Sequence, residues 1–165
     1  LLPRHPDLRL HIVGDGWWAH EIRSEAERLG VSHRVDLLGH VDETVKNLEL
    51  AAGWVHLAPS VKEGWGLSVV EAASHGTPTV AYTHTGGLSE SIVDGHTGAL
   101  VDDLDAMVDT VDHLLASPAE RERMGKAAKE HSAAFTWERT ISAWETMLRH
   151  VVRRDQPVAG TDDAD

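Results

Sequence analysis

Apolar residues fall in short blocks, each closed by a glycine or proline turn. Leu8, Leu10, Ile12 and Val13 alternate with Arg9 and His11 and then run together, which predicts a buried strand ending at Gly14-Asp15-Gly16. From Trp18 to Leu29 the apolar positions Ile22, Ala26 and Leu29 have helical spacing, and Gly30 ends the helix. Val35-Asp36-Leu37-Leu38 reads as a second strand closed by Gly39. Asp42 is placed to cap a helix through Val45, Leu48 and Ala52. Trp54 to Ala58 predicts a third strand, stopped by Pro59. A loop to Trp65 then leads into a helix over about Gly66 to His75. Thr79 to Tyr82 and Gly98 to Val101 complete the strands, with a short helix from Ser89 to Val93 between them. Beyond them the chain reads as helix. Leu104, Met107, Val108, Val111, Leu114 and Leu115 form one stripe, and Ser117-Pro118-Ala119-Glu120 opens the next helix. Trp137, Ile141, Trp144, Leu148 and Val151 mark the last.

Strands alternating with helices predict an α/β fold: a Rossmann-like parallel sheet flanked by helices, with extra C-terminal helices. Residues 1–154 would form the domain and 155–165 a disordered acidic tail. Ligands in such sheets bind beyond the carboxyl ends of the strands, so the loops there are the places to look.

Composition narrows the function. The 165 residues are 41% hydrophobic, enough for a core. No apolar run approaches the roughly 20 residues of a transmembrane segment, and Leu1 to Leu10 does not read as a secretion signal. Without cysteine, thiolate metal sites and cysteine nucleophiles are excluded, and a cytoplasmic location fits. A formal charge of −12 argues against nucleic acid and against anionic lipid. The 12 histidines are scattered, with no tight ligand spacing, so no metal site is expected. Of the six tryptophans, Trp54, Trp137 and Trp144 are expected to pack in the core or fasten the last helix, and Trp17 and Trp18 to be partly exposed.

An anionic ligand would have to be held by backbone N–H groups, and the segment from Pro59 to Gly76 offers them. Gly64 and Gly66 flank Trp65 just before a helix, where successive N–H groups and the helix dipole can meet a phosphate. Glu71 is the only formally charged residue from Gly64 to Pro78, so it should reach the surface or find strong partners. Sugar hydroxyls would serve, because each donates to a carboxylate oxygen. Glu63 lies on the open loop, so one acid could sit at each end of an elongated ligand. On the residues alone, a solvated Glu63 and a Glu71 that caps a backbone group remain open.

Glu63 and Glu71, with Gly64-Trp65-Gly66-Leu67 between them, resemble the paired-glutamate signature of the group 1 (family 4) retaining glycosyltransferases of GT-B fold. Pro6 to Gly16, Leu38-Gly39-His40-Val41, Gly76 to Ala81, Gly86 to Glu90 and Asp94 to Gly98 are similar to the family's other strands and turns, in order, over about residues 3 to 150. The resemblance implies most of a C-terminal, nucleotide-sugar-binding domain whose parent transfers a hexose from a nucleoside diphosphate sugar with retention, without a metal or other cofactor. Glu71 would hold the ribose hydroxyls and Glu63, the catalytic candidate, those of the donor sugar. Gly64, Trp65, Gly66 and Leu67 would present N–H groups to the diphosphate and sugar. His40 and Val41 would lie beside the base, and Gly14 and Gly16 would leave room for the nucleotide. Trp65 stands where relatives usually have Phe. The family's phosphate-binding Arg and Lys, after a strand upstream of Leu1, have no counterpart here, and Lys62, Arg4 and Arg34 are not expected to replace them. The first strand and helix and the N-terminal acceptor-binding domain are thus expected to be missing, and the isolated chain to bind nucleotide weakly and transfer nothing. Two other readings stay open: a non-catalytic nucleotide-binding or interaction module, and a dinucleotide-binding domain built on Gly14-x-Gly16-x-x-Ala19 with Asp36.

Overall fold

The computed structural model describes residues 1–154, in two compact units, Leu1–Ser132 and a second beginning at Ala133. The tail expected at 155–165 lies outside the described residues. In the first unit the order is β1 (Leu10–Val13), α1 (Ala19–Arg28), β2 (Val35–Gly39), α2 (Glu43–Ala52), β3 (His56–Ala58), α3 (Leu67–Ser74), β4 (Thr79–Tyr82), α4 (Leu88–Ser91), β5 (Gly98–Val101), α5 (Leu104–Ala116) and α6 (Pro118–Ser132). All pairings between these strands are parallel, as the alternation of strand and helix requires. The α/β class is therefore as expected.

The strands do not form one continuous ladder. They make a two-stranded sheet, β1-β2, and a three-stranded sheet, β3-β4-β5. The doubly wound order places a further strand between those corresponding to β1 and β3. This arrangement corrects the first strand, expected to be buried over Leu8 to Val13. β1 is only four residues long, with Leu10 at 41% and Val13 at 39% exposure. One neighbour, β2, covers one of its edges, and nothing among the described residues pairs with the other.

The core lies around β4. Val80 is fully buried with Val101, Met107, Val111, Leu114, Leu115 and Met124 on one side. Ala81 is buried on the other with Ala58, Val69, Leu88 and Ile92. Alternate residues of a strand face opposite ways, so Val80 and Ala81 anchor the two clusters. The second cluster sits directly under the loops that follow β3 and β4. Asp42 caps α2 as expected, its Oδ1 accepting the Val45 N–H at 2.8 Å. Asp103 caps α5 in the same way.

The tryptophan expectation fails for Trp54. Trp54 is 59% exposed, because the chain before β3 is still surface loop; its ring is covered instead by the Arg121 guanidinium, 4.2 Å from the ring centroid. The second unit contains α7 (Trp137–Arg154), which carries Trp137, Ile141, Trp144, Leu148 and Val151. Trp17 and Trp18 are exposed as anticipated and meet edge to face. No helix among the described residues is long and apolar enough to cross a membrane.

Candidate functional site

The loops after β3 and β4 are tied to each other. The Glu63 N–H donates to the Thr85 carbonyl at 2.7 Å, and the Gly87 N–H donates to the Glu63 carbonyl at 3.3 Å. Glu63 and Gly86 thus form a one-residue parallel bridge beyond the ends of their strands. The loops approach so closely that a Cβ on Gly87 would overlap the Gly64 carbonyl oxygen. Gly66 is the N-cap of α3 at φ 76°, a left-handed conformation, and a Cβ there would overlap Leu88, which is buried beneath. Gly66 and Gly87 are therefore required by sterics, and the bend before α3 rests on the second core cluster.

That bend opens into α3. The first intrahelical bond is made by the Val69 N–H to the Gly66 carbonyl at 3.0 Å. The N–H groups of Leu67 and Ser68 precede it and project from the helix start, where the dipole favours an anion. Both residues are exposed. Trp65 is half-buried in the same bend.

The two acids have different surroundings. The Glu63 carboxylate turns onto its own loop, accepting the Gly64 N–H at 3.2 Å and the Ser60 hydroxyl at 3.4 Å. Glu71 lies in the second turn of α3 with its side chain 42% exposed, and its Oε1 accepts from Lys46 Nζ at 2.8 Å. It therefore reaches the surface and also has a strong partner. The Glu71 carbonyl accepts the Ser74 hydroxyl at 2.7 Å. Lys46 is the residue that sequence reasoning missed. A signal was present: a cation in the first turn of a helix opposes the macrodipole, so Lys46 needed a tertiary reason to be there.

The remaining candidates line the ends of β1 and β2. The Gly14 N–H donates to the Gly39 carbonyl at 2.8 Å, closing those ends together. The Gly16 N–H is taken by its neighbour Asp15. His40 is exposed and Val41 half-buried, just before α2, and α2 packs on α3. The glutamate loop, the helix start and the His40-Val41 segment thus belong to adjoining elements, while Gly14 and Gly16 sit at the exposed ends of the two-stranded sheet. Of the cations considered, Arg4 is committed to Asp112 at 2.8 Å, and Lys62 is exposed beside Glu63. Asp36, the acid of the dinucleotide reading, sits near the start of β2 in a forked pair with Arg9, with contacts of 2.6–3.0 Å. A cavity of about 340 Å³ lies between α1 and β2; Asp36 lines it, but none of the residues expected to meet a nucleotide sugar does. No group of residues suited to a metal ion occurs among the described residues.

His56, at the start of β3, shares a hydrogen bond of 3.1 Å with the buried Thr79 hydroxyl. Burial lowers its pKa from 6.5 to about 4, and the nearby negative charge of Glu71 opposes this only in part. The imidazole is neutral in the fold and protonates readily when unfolded. Stability is therefore complete above about pH 6.5 and falls as pH drops toward 4, by up to about 3 kcal/mol. Urea unfolding at pH 7.5 and pH 4.5 should show this loss, and His56→Asn should lose distinctly less between the two.

The parallel α/β unit, with its site at the strand ends, is of the GT-B glycosyltransferase type. A sucrose-phosphate synthase from Thermosynechococcus elongatus superposes with a TM-score of 0.78 at 28% identity, over 89% of this chain and 39% of that one. The pneumococcal O-GlcNAc transferase GtfA, solved with UDP and GlcNAc, shares the fold at TM-score 0.79 and 21% identity, over 92% of this chain and 31% of its own. The family described as glycosyl transferases group 1 matches residues 1–131, and this chain belongs to it. A D-inositol 3-phosphate glycosyltransferase of Corynebacterium diphtheriae is 35% identical over 99% of this chain and 42% of its own length. An exopolysaccharide phosphotransferase of Streptomyces coelicolor is 32% identical over 94% of this chain and 17% of its own. The chain thus spans less than half the length of these curated relatives.

Proposed function

We propose that this chain is the donor-binding half of a cytoplasmic, metal-independent retaining glycosyltransferase that moves a hexose from a nucleoside diphosphate sugar to an acceptor read by a further domain. The observation that carries the reading is the glycine-locked bend, with one acid on it and a second on the helix it starts. In this reading the N–H groups of Gly64, Trp65, Gly66 and Leu67 face the diphosphate. Glu63 leaves its own loop to accept from donor-sugar hydroxyls, and Glu71 accepts from the ribose. His40 and Val41 flank the base, and Gly14 and Gly16 leave space beside it. The donors at the helix start are fixed before reaction, so the charge that grows on the departing diphosphate is met without reorganisation. This supports a transferase over a passive module.

A strand between β1 and β3, with the helix that follows it, and an acceptor domain would complete the enzyme. The chain alone is accordingly proposed to bind nucleotide weakly and to transfer nothing. The Streptomyces relative's phosphotransferase name does not weigh against sugar transfer, because this chain matches only 17% of that protein. UDP is the first nucleotide to test, since GtfA was solved with it. Calorimetric titration of the purified chain should give a Kd of about 0.1–1 mM for UDP or another nucleoside diphosphate. NADH should bind at least tenfold more weakly. Preference for NADH, or no nucleoside diphosphate binding at all, would refute the assignment.

A further inference from the structure

We propose that Lys46 is a positioning residue of this site: its ammonium pins the Glu71 carboxylate so that the free oxygen is presented to a ribose diol. The inference rests on the reading of Glu71 given above and adds to it the group that sets its geometry.

Three contacts run along one side of α2 to α3 and the turn after it. Lys46 Nζ donates to Glu71 Oε1 at 2.8 Å, Asn47 Oδ1 meets His75 Nε2 at 3.1 Å, and the Leu50 carbonyl accepts the Thr77 hydroxyl at 2.6 Å. The other two contacts tie α2 to the C-cap of α3 and the turn after it, so the ion pair is set by the scaffold and not by two wandering side chains. Lys46 is also the less exposed partner, at 24% against 42% for Glu71. Its ammonium has three donors. One goes to Glu71 and one to Glu43, at 3.0 Å. The Glu43 carboxylate is 81% exposed, so that second bond is easily exchanged for water.

The chemistry follows from counting lone pairs. An ionised carboxylate offers about four acceptor positions. Lys46 occupies one on Oε1 and leaves Oε2 for hydroxyl donors. A vicinal diol presents two O–H groups on neighbouring carbons and so needs a carboxylate held in one plane. A third ammonium N–H remains and can donate to a diol oxygen in return. A nucleotide lacking the 2′-hydroxyl cannot use this arrangement fully, so Lys46 should act on ribose and be nearly silent toward deoxyribose.

The test measures UDP and 2′-deoxy-UDP binding by calorimetry for the unaltered chain and for Lys46→Met, Lys46→Arg, Glu71→Gln and Glu43→Gln. Lys46→Met is expected to weaken UDP about 5- to 10-fold while changing 2′-deoxy-UDP less than twofold. Lys46→Arg should restore most of the UDP affinity, and Glu43→Gln should leave both ligands within twofold. In a Lys46→Met/Glu71→Gln double mutant the losses should not add, because one acts through the other. Should Lys46→Met weaken both nucleotides equally, or leave UDP unchanged while Glu71→Gln weakens it, the positioning role is wrong and the Glu71 assignment stands. If Glu71→Gln itself leaves UDP binding unchanged, it is the site reading that fails.

Discussion

Replacing Glu71 with alanine should weaken nucleoside diphosphate binding by about 1.5–3 kcal/mol, roughly 10- to 150-fold. The loss comes from charge-assisted hydroxyl bonds that water does not replace at the same geometry. It should not come from unfolding. The Glu71 side chain is 42% exposed, and its main fold contact is a surface pair with Lys46. Exposed pairs contribute little to stability, so the thermal midpoint should move by no more than about 2 °C. Calorimetry and a melting curve on the same sample separate the two effects. A large drop in melting temperature with unchanged affinity would reassign Glu71 to the scaffold.

Glu63→Gln should act on transfer and hardly on binding. In a polypeptide that supplies the acceptor domain, kcat is expected to fall about 10²- to 10³-fold while UDP affinity changes less than threefold. The split arises because Glu63 is assigned to the sugar end of the donor, where charge develops, and UDP carries no sugar. The backbone of Glu63 is what ties the loop to Thr85 and Gly87, and a glutamine keeps those bonds. Its Oε1 accepts from Gly64 and its Oε2 from Ser60, so a glutamine oxygen can keep one of these loop contacts. Equal loss of UDP binding would place Glu63 at the nucleotide instead.

Much of the fold could be read from local signals. Gly39, Asp42, Gly76 and the Ser117-Pro118 pair each end or start an element where expected, because turn and cap chemistry acts over a few residues. β4 and β5 came out with the bounds their apolar runs suggested. The errors share a different cause. Whether Leu10 and Val13 are buried depends on which strand lies beside β1, and Trp54 depends on whether another element covers it. Apolar character says that a side chain gains by burial, not that a partner is within reach.

The site divides along the same line. The glycines and the two acids were legible because backbone geometry and charge spacing are local properties. The steric reason for Gly87 was not, since it depends on the Gly64 carbonyl, in another loop. Lys46 was hidden because its partner lies 25 residues away on α3. His56 looked like one of many scattered histidines until its burial beside Thr79 was seen.

The central claim is that the bend from Gly64 to Leu67 and the start of α3 hold a diphosphate through main-chain N–H groups. The most direct measurement is a backbone amide NMR titration of the ¹⁵N-labelled chain with UDP. The largest shifts should fall on Gly64, Gly66, Leu67 and Ser68, saturate together, and move less with uridine, which has no phosphate. Shifts centred on Gly14 to Ala19 with that bend unmoved, or uridine matching UDP residue for residue, would contradict it.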